Sequence, residues 1–271
     1  MDSTYHKSEH LRQLIKGLES VAIAFSGGVD STFLMAVAYQ TLDVKSLAIT
    51  AQSGLFPACE MDEARAFVAA KGIRHIVCEI DEFAINGFAE NPENRCYICK
   101  KALFTRFHEI AVEQGMNYIA EGSNVDDDGD YRPGMAAIRE LGIRSPLREV
   151  GLTKAEIRQL SHEMGLSTWN KPSYACLASR IPYGETITSE KLKAVEISEQ
   201  CLFHLGFRQA RVRHHGNLAR IEINSDEMEK MMTSDVRETV CAEMKKAGFS
   251  YVTLDLQGYR TGSLNEIIEK K

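Results

Sequence analysis

Short apolar runs alternate with longer amphipathic ones along the first two thirds of the chain. "VAIAF" (21–25) is a continuous apolar run ending at glycines and predicts a buried strand, and "STFLMAVAYQ" after it predicts a helix. The pair repeats. "SLAIT" (46–50) predicts a second strand and "EMDEARAFVAAKG" a helix stopped by Gly72; "RHIVCEI" (74–80) predicts a third strand. "CYICKKALFTRFHEIAVEQG" predicts a long helix and "NYIAEG" (117–122) a fourth strand. Thr153 and Glu156 have the spacing of a capping box, opening a helix that ends at Gly165. Leu11, Leu14, Ile15 and Leu18 recur at helical spacing and predict an amphipathic first helix. Strands alternating with helices imply an α/β fold, a parallel sheet with helices on both faces.

The pattern changes near residue 181. "SEKLKAVEISEQCLFHLG" predicts a helix, "RQARVRHH" and "LARIEI" neighbouring strands, 226–247 a second helix and "SYVTLDL" a last strand. The expected organisation is an α/β domain over 1–181 and a small α+β domain over 182–271, joined by "IPYGETIT".

Composition narrows the class. With 271 residues, 44% hydrophobic and 26% charged, the chain has the profile of a globular protein. No apolar run approaches the roughly 18 residues of a membrane helix. The first 20 residues lack an apolar stretch with a cleavage site, so no secretory signal is expected. Seven cysteines, an odd count, fit a reducing cytoplasm. The formal charge of -6 argues against a nucleic-acid partner.

The chemistry begins at "FSGGVDST" (25–32), between the first strand and its helix. Two glycines let the backbone approach a ligand, and the helix start aims amides at an anion. Ser26, Ser31 and Thr32 add hydroxyls. Asp30 makes sense beside phosphates if magnesium bridges them. The loop is not a Walker loop, because no Gly-Lys-Ser/Thr follows. The string resembles the pyrophosphate loop of the N-type ATP pyrophosphatases, which cleave ATP between the α and β phosphates and adenylate an oxygen. That resemblance implies ATP bound at Ser26, Gly27, Gly28, Asp30, Ser31 and Thr32, with Mg2+ and catalytic Asp30.

Further stretches narrow the branch. "EGSNVDDDGDYRPG" (121–134), "RSPL" (144–147), "WNKPSYACLASRIPYG" (169–184), "RVRHHGNLARIE" (211–222) and "YVTLDLQGYRTG" (251–262) together resemble the LarE family nearly end to end. These are pyridinium-3,5-biscarboxylic acid mononucleotide sulfurtransferases, feeding nickel-pincer nucleotide synthesis. The resemblance implies a key Cys176, Lys100 against adenylate charge and Arg132 near the nucleotide. It also implies a ring-like homo-oligomer such as a hexamer. Glu199 and Glu222 match family positions at a subunit junction, where a metal is implied. Arg211 and Arg213 share one face of a strand, and with Arg180 they are candidates for the substrate's anions; an intersubunit salt-bridge face is the alternative. The run Asp126, Asp127, Asp128 and Asp130 reads as a solvated loop, with magnesium binding as the alternative.

Cys96 and Cys99 lie one helical turn apart, and iron–sulfur tRNA thiolases hold a cluster on three cysteines. With Cys176 the three predict a [4Fe-4S] cluster whose open iron carries sulfide from an external donor. Sacrificial transfer of the Cys176 sulfur needs that residue alone. A structural zinc wants a fourth ligand that the sequence does not offer, and a redox pair has no use for a pyrophosphate loop. Cys59, Cys78, Cys201 and Cys241 read as buried small hydrophobes. At the level of function, a tRNA thiolase and an ATP-sensing module are the alternatives.

Overall fold

A computed structural model describes residues 2–127, 133–172 and 174–267, and divides the chain into two compact units. The first unit comprises 1–81 and 96–174. Its strands are β1 (Val21–Ala24), β2 (Ser46–Gln52), β3 (His75–Glu79) and β4 (Tyr118–Ala120), paired in parallel in the order β3-β2-β1-β4. The helices of this region are α1 (Asp2–Leu18), α2 (Val29–Leu42), α3 (Ala58–Lys71), α4 (Arg95–Glu113), α5 (Gly134–Glu140), α6 (Pro146–Glu149) and α7 (Lys154–Glu163).

Strand alternation sends side chains to both faces. Val21 and Ile23 join a core with residues of α1, α2 and α7. Ala22, from the same strand, joins Leu47 and Ile49 in a second core with α4 and α5. The sheet is thus covered on both sides, as the alternating pattern predicts. From Val29 to Ala38 the helix α2 is buried except at Asp30, so it is a central helix. The capping box forms: the Glu156 amide donates to Thr153 Oγ1, and the Thr153 amide donates to Glu156 Oε2.

The second unit comprises 82–95 and 175–271. Here α8 (Ser189–His204), α9 (Met228–Met232) and α10 (Ser234–Lys246) accompany β5 (Ala210–His215), β6 (Leu218–Ile223) and β7 (Tyr251–Leu254). The strand β6 pairs antiparallel with β5 and parallel with β7. A third core gathers Ala194 and Leu202 of α8 with Val212, Ile221, Val240 and Met244.

Two features depart from the sequence expectation. Residues 82–95 belong with the C-terminal unit, because the Asn91 amide donates to the carbonyls of Ile181, Pro182 and Glu185 and Arg95 donates to the Ala178 carbonyl. The helix expected over 226–247 is broken at Thr233, whose ψ of 144 is extended. Among the described residues no helix is long and apolar enough to cross a membrane.

Candidate active site

The glycine loop connects β1 to α2. Gly27 has φ +73, and a Cβ there would lie 3.1 Å from the Cβ of Ala64 on α3, so both conformation and space require glycine. Ser26 is exposed, with its Oγ 3.1 Å from Ser31 Oγ; Ser31 Oγ also donates to the Gly28 carbonyl at 3.3 Å. The free amides at the start of α2 face the same turn. Thr32 departs from its expected place among the loop's donors. It is fully buried, its amide donates to Gly28, and its hydroxyl has no partner, so it is not presented to a ligand.

Asp30 occupies the first turn of α2, where a carboxylate complements the helix dipole. Lys154 Nζ donates to its Oδ2 at 2.5 Å and Asn124 Nδ2 to its Oδ1 at 3.4 Å. A Cβ on Gly122 would lie 3.0 Å from the Ser31 nitrogen and 3.2 Å from the Asp30 Cβ, so the chain after β4 closes directly over the loop. In the acidic run, Asp126 accepts from the Lys154 amide and Asp127 from the Asn124 amide. Both carboxylates brace backbone. Asp128, Asp130 and Arg132 lie outside the described residues.

Lys171 lies on the other side of the loop. Its ammonium donates to the Gly27 carbonyl at 3.2 Å and pairs with Glu60 at 3.1 Å and Glu63 at 2.7 Å. Burial works against its charge, but hydrogen bonds and charge from Glu63 and Glu60 outweigh burial and raise its pKa.

Cys96 and Cys99 lie in the first turns of α4, half-buried. A Cβ on Gly134, which opens α5, would lie 2.7 Å from Lys100 Cδ and 3.3 Å from the Cys96 carbonyl, so that glycine makes room for Lys100. Lys101 is held at the surface by Tyr97 and Glu140. Cys176 belongs to the second unit and is also half-buried. Among the described residues no group of three or more His, Cys, Asp or Glu side chains is arranged to hold a metal ion; Cys96 and Cys99 stand in the first unit and Cys176 in the second. Of the remaining cysteines Cys78 is buried, Cys201 and Cys241 are half-buried, and Cys59 is exposed, against its expected place in the core.

The arginines of the second unit are matched by carboxylates. Arg180 is buried and makes a bidentate pair with Glu199, both bonds 2.8 Å, while its other nitrogen donates to the carbonyls of Ala175 and Cys176. It therefore ties the Cys176 backbone to α8. Arg213 makes a bidentate pair with Glu222 at 3.1 and 2.8 Å and donates to Ser179 and Ser263. Glu199 and Glu222 are both buried in the single chain. Arg211 donates to the Ala210 carbonyl and stacks 5.4 Å from the Tyr259 ring; burial, reinforced by the charge of Arg180, lowers its pKa to about 10. Arg211 and Arg213 thus have different partners, a carbonyl and a ring for the one and a carboxylate for the other. A cavity of about 280 Å³ opens beside Arg180, Arg213, Arg220, Arg260 and His215, with Glu266 on its wall.

Comparison with known proteins gives a consistent picture. The chain is 44% identical over 264 residues to an uncharacterized Synechocystis protein, covering 97% of this chain and 98% of that one. It is 35% identical over 265 residues to the pyridinium-3,5-bisthiocarboxylic acid mononucleotide synthase of Lactiplantibacillus plantarum, covering 97% and 95%. The chain belongs to the LarE family. This family comprises ATP-dependent sulfurtransferases of the PP-loop class, and the chain is an enzyme of that class. A glutamine-hydrolyzing GMP synthase component from Thermoplasma volcanium is 29% identical over 200 residues, 68% of this chain and 63% of that protein. No protein-family model matches the chain.

Several residues beside the loop and the arginine cavity were not singled out by the sequence. Lys154 directly follows the capping threonine, a position that fixes its backbone but says nothing of Asp30. Lys171 stands inside the quoted "WNKPSY", and its contact with Gly27 spans 144 residues of chain. Arg220 lies in "LARIE" and Arg260 in "GYRTG", both quoted for their resemblance and neither for its charge.

Proposed function

We propose that the chain adenylates a carboxylate of pyridinium-3,5-biscarboxylic acid mononucleotide and replaces oxygen with sulfur, in nickel-pincer nucleotide synthesis. The observation that carries this reading is the loop Ser26–Thr32, with Asp30 at the mouth of α2 and open amides beside it. The carboxylate oxygen attacks the α-phosphorus of ATP, the bond to the β-phosphate breaks, and pyrophosphate leaves with the electron pair. A sulfur nucleophile then attacks the activated carbonyl carbon, and AMP departs. Repeating this on the second carboxylate would give the dithio product for which the Lactiplantibacillus relative is named.

In this reading Ser26, Gly27, Gly28 and Ser31 hold phosphates, and Asp30 holds Mg2+. Lys100 offsets charge on the adenylate and Arg132 contacts the nucleotide. The anionic end of the substrate is held by the arginines of the second unit. Arg180 and Arg213 shape the wall of the arginine cavity, and Arg220 and Arg260, each paired with carboxylates, are its more exposed guanidiniums. Arg211, off that wall, acts through the cavity's charge.

Sulfur is delivered at Cys176. As a donor set, Cys96, Cys99 and Cys176 suit a [4Fe-4S] cluster, which when bound would supply metal-held sulfide from an external donor. The sacrificial alternative needs Cys176 alone. Anaerobic iron and sulfide analysis of reconstituted protein separates the two. Iron lost in Cys96→Ala, with repeated turnover in the wild type, supports the cluster. A single turnover with loss of the mass of hydrogen sulfide at Cys176 supports sacrifice. A cytoplasmic homo-oligomer, with a hexamer as its state, completes the proposal and is checked by sedimentation.

The decisive experiment on the reaction itself is pyrophosphate release. It should require the carboxylate substrate and vanish in Asp30→Ala while the fold persists. Cleavage of ATP to ADP and phosphate would overturn the reading.

A further inference from the structure

Asp30 is the charged member of the loop, and its carboxylate is already occupied. Lys154 takes one oxygen and Asn124 the other. The pair is not a core pair: the Lys154 side chain is 31% exposed and that of Asp30 23%, so solvent and ligands reach both. Asp30 has little room to withdraw, because the chain at Gly122 packs against its Cβ. Lys154 is different. Its backbone is pinned at the start of α7 by Asp126 and by the neighbouring capping box, but its four-carbon stem is long and rotatable.

A divalent cation and an ammonium on one carboxylate repel each other. Magnesium arriving at Asp30 therefore competes with Lys154 and favours its release. The released ammonium pivots on a fixed backbone at the mouth of a loop built for phosphates. We propose that Lys154 contacts the ATP phosphates, held on Asp30 until magnesium takes that carboxylate, so that the lysine makes magnesium and ATP binding mutually dependent. This rests on the proposed magnesium–ATP site at the loop. It assigns to Lys154 a role in binding that is separate from the sulfur chemistry.

Binding of ATP to the full chain is measured by calorimetry in EDTA and in magnesium, for wild type, Lys154→Met and Lys154→Arg. Binding of manganese alone is followed by loss of its free paramagnetic signal. Lys154→Met should weaken magnesium–ATP binding by about tenfold or more, yet bind manganese alone more tightly than wild type, since the carboxylate is bare. Lys154→Arg should keep most of the magnesium–ATP affinity. A purely structural role would weaken both kinds of binding together, and that result overturns the proposal. Lys154→Gln replaces the methionine variant if the latter does not fold. A wild type that binds magnesium–ATP alongside a Lys154→Met that binds it equally well overturns this proposal alone. A wild type that binds ATP in neither condition overturns the loop reading and this proposal with it.

Discussion

The two units use ion pairs in opposite ways. At the loop of the first unit, Asp30 meets Lys154 with both side chains partly open to water. In the second unit, Arg180 and Glu199 are 1% and 3% exposed, and Arg213 and Glu222 are 8% and 0%. A partly exposed pair gains little from its own attraction, so an arriving ligand can replace either partner at small loss. A buried pair has surrendered its hydration, and removing one partner leaves a charge with nowhere to go. The first arrangement suits a site that must exchange partners during a reaction. The second suits a scaffold, and here it fixes the carbonyls of Ala175 and Cys176 through Arg180.

The largest effect should come from breaking the scaffold. Glu222 accepts from Arg213, Arg220 and Ser263. Glu222→Ala leaves two guanidiniums without that carboxylate, and should cost about 3–5 kcal/mol of stability. Asp30→Asn, by contrast, should change stability by about 0–1 kcal/mol. Denaturant unfolding of both variants checks the contrast, and equal losses would erase it.

An intermediate case sharpens the comparison. Lys171 is only 10% exposed, yet it holds the Gly27 carbonyl of the loop together with Glu60 and Glu63. It should behave as scaffold and as site. Lys171→Met removes a charge-assisted donor and should cost about 1.5–3 kcal/mol. It should also weaken ATP binding, because the left-handed turn at Gly27 loses its anchor. A stability loss with unchanged ATP affinity would place Lys171 with the scaffold alone.

The legibility of these features in the sequence follows the same division. Alternating apolar runs and helical periods are local, and they predicted the parallel sheet, the capping box at Thr153 and the position of α4. The glycine loop was legible because Gly27 and Gly28 sit beside Ser26 and Asp30 in one short string. Partners distant in the chain were not. The spacing of Arg211 and Arg213 fixed their face, but the strand register that sets Glu222 opposite Arg211 is a tertiary property. Residues 82–95 carried no signal of joining the second unit, since that depends on Asn91 finding carbonyls some 90 residues on. The break at Thr233 has neither glycine nor proline to announce it. Lys154 stood beside a recognised cap, but only the folded chain brings it to Asp30.

The smallest predicted effect is a pH dependence shared by both units. Burial lowers the pKa of His75 in the first unit and of His214 and His215 in the second, each below the ordinary 6.5. Nearby cations add to it: Arg65 at His75, Lys191 at His214 and Arg220 at His215. Neither His214 Nδ1 nor His215 Nε2 has a hydrogen-bond partner, so a proton gained there is not met by an acceptor. Below pH 6.5 the unfolded chain binds these protons before the folded chain does. The histidines' contribution is therefore complete above 6.5 and is lost as pH falls through the lowered folded values. The shifted carboxylates Glu149 and Glu156 titrate below their ordinary 4.5, so they do not confuse the window between. The melting temperature should thus decline steadily from pH 7 to pH 5, before any carboxylate step. His214 packs 5.1 Å from the Phe249 ring, so His214→Phe keeps an aromatic contact while removing one of the three protons from the slope. A slope unchanged in that variant would show that His214 does not titrate with folding, and would leave the decline to His75 and His215.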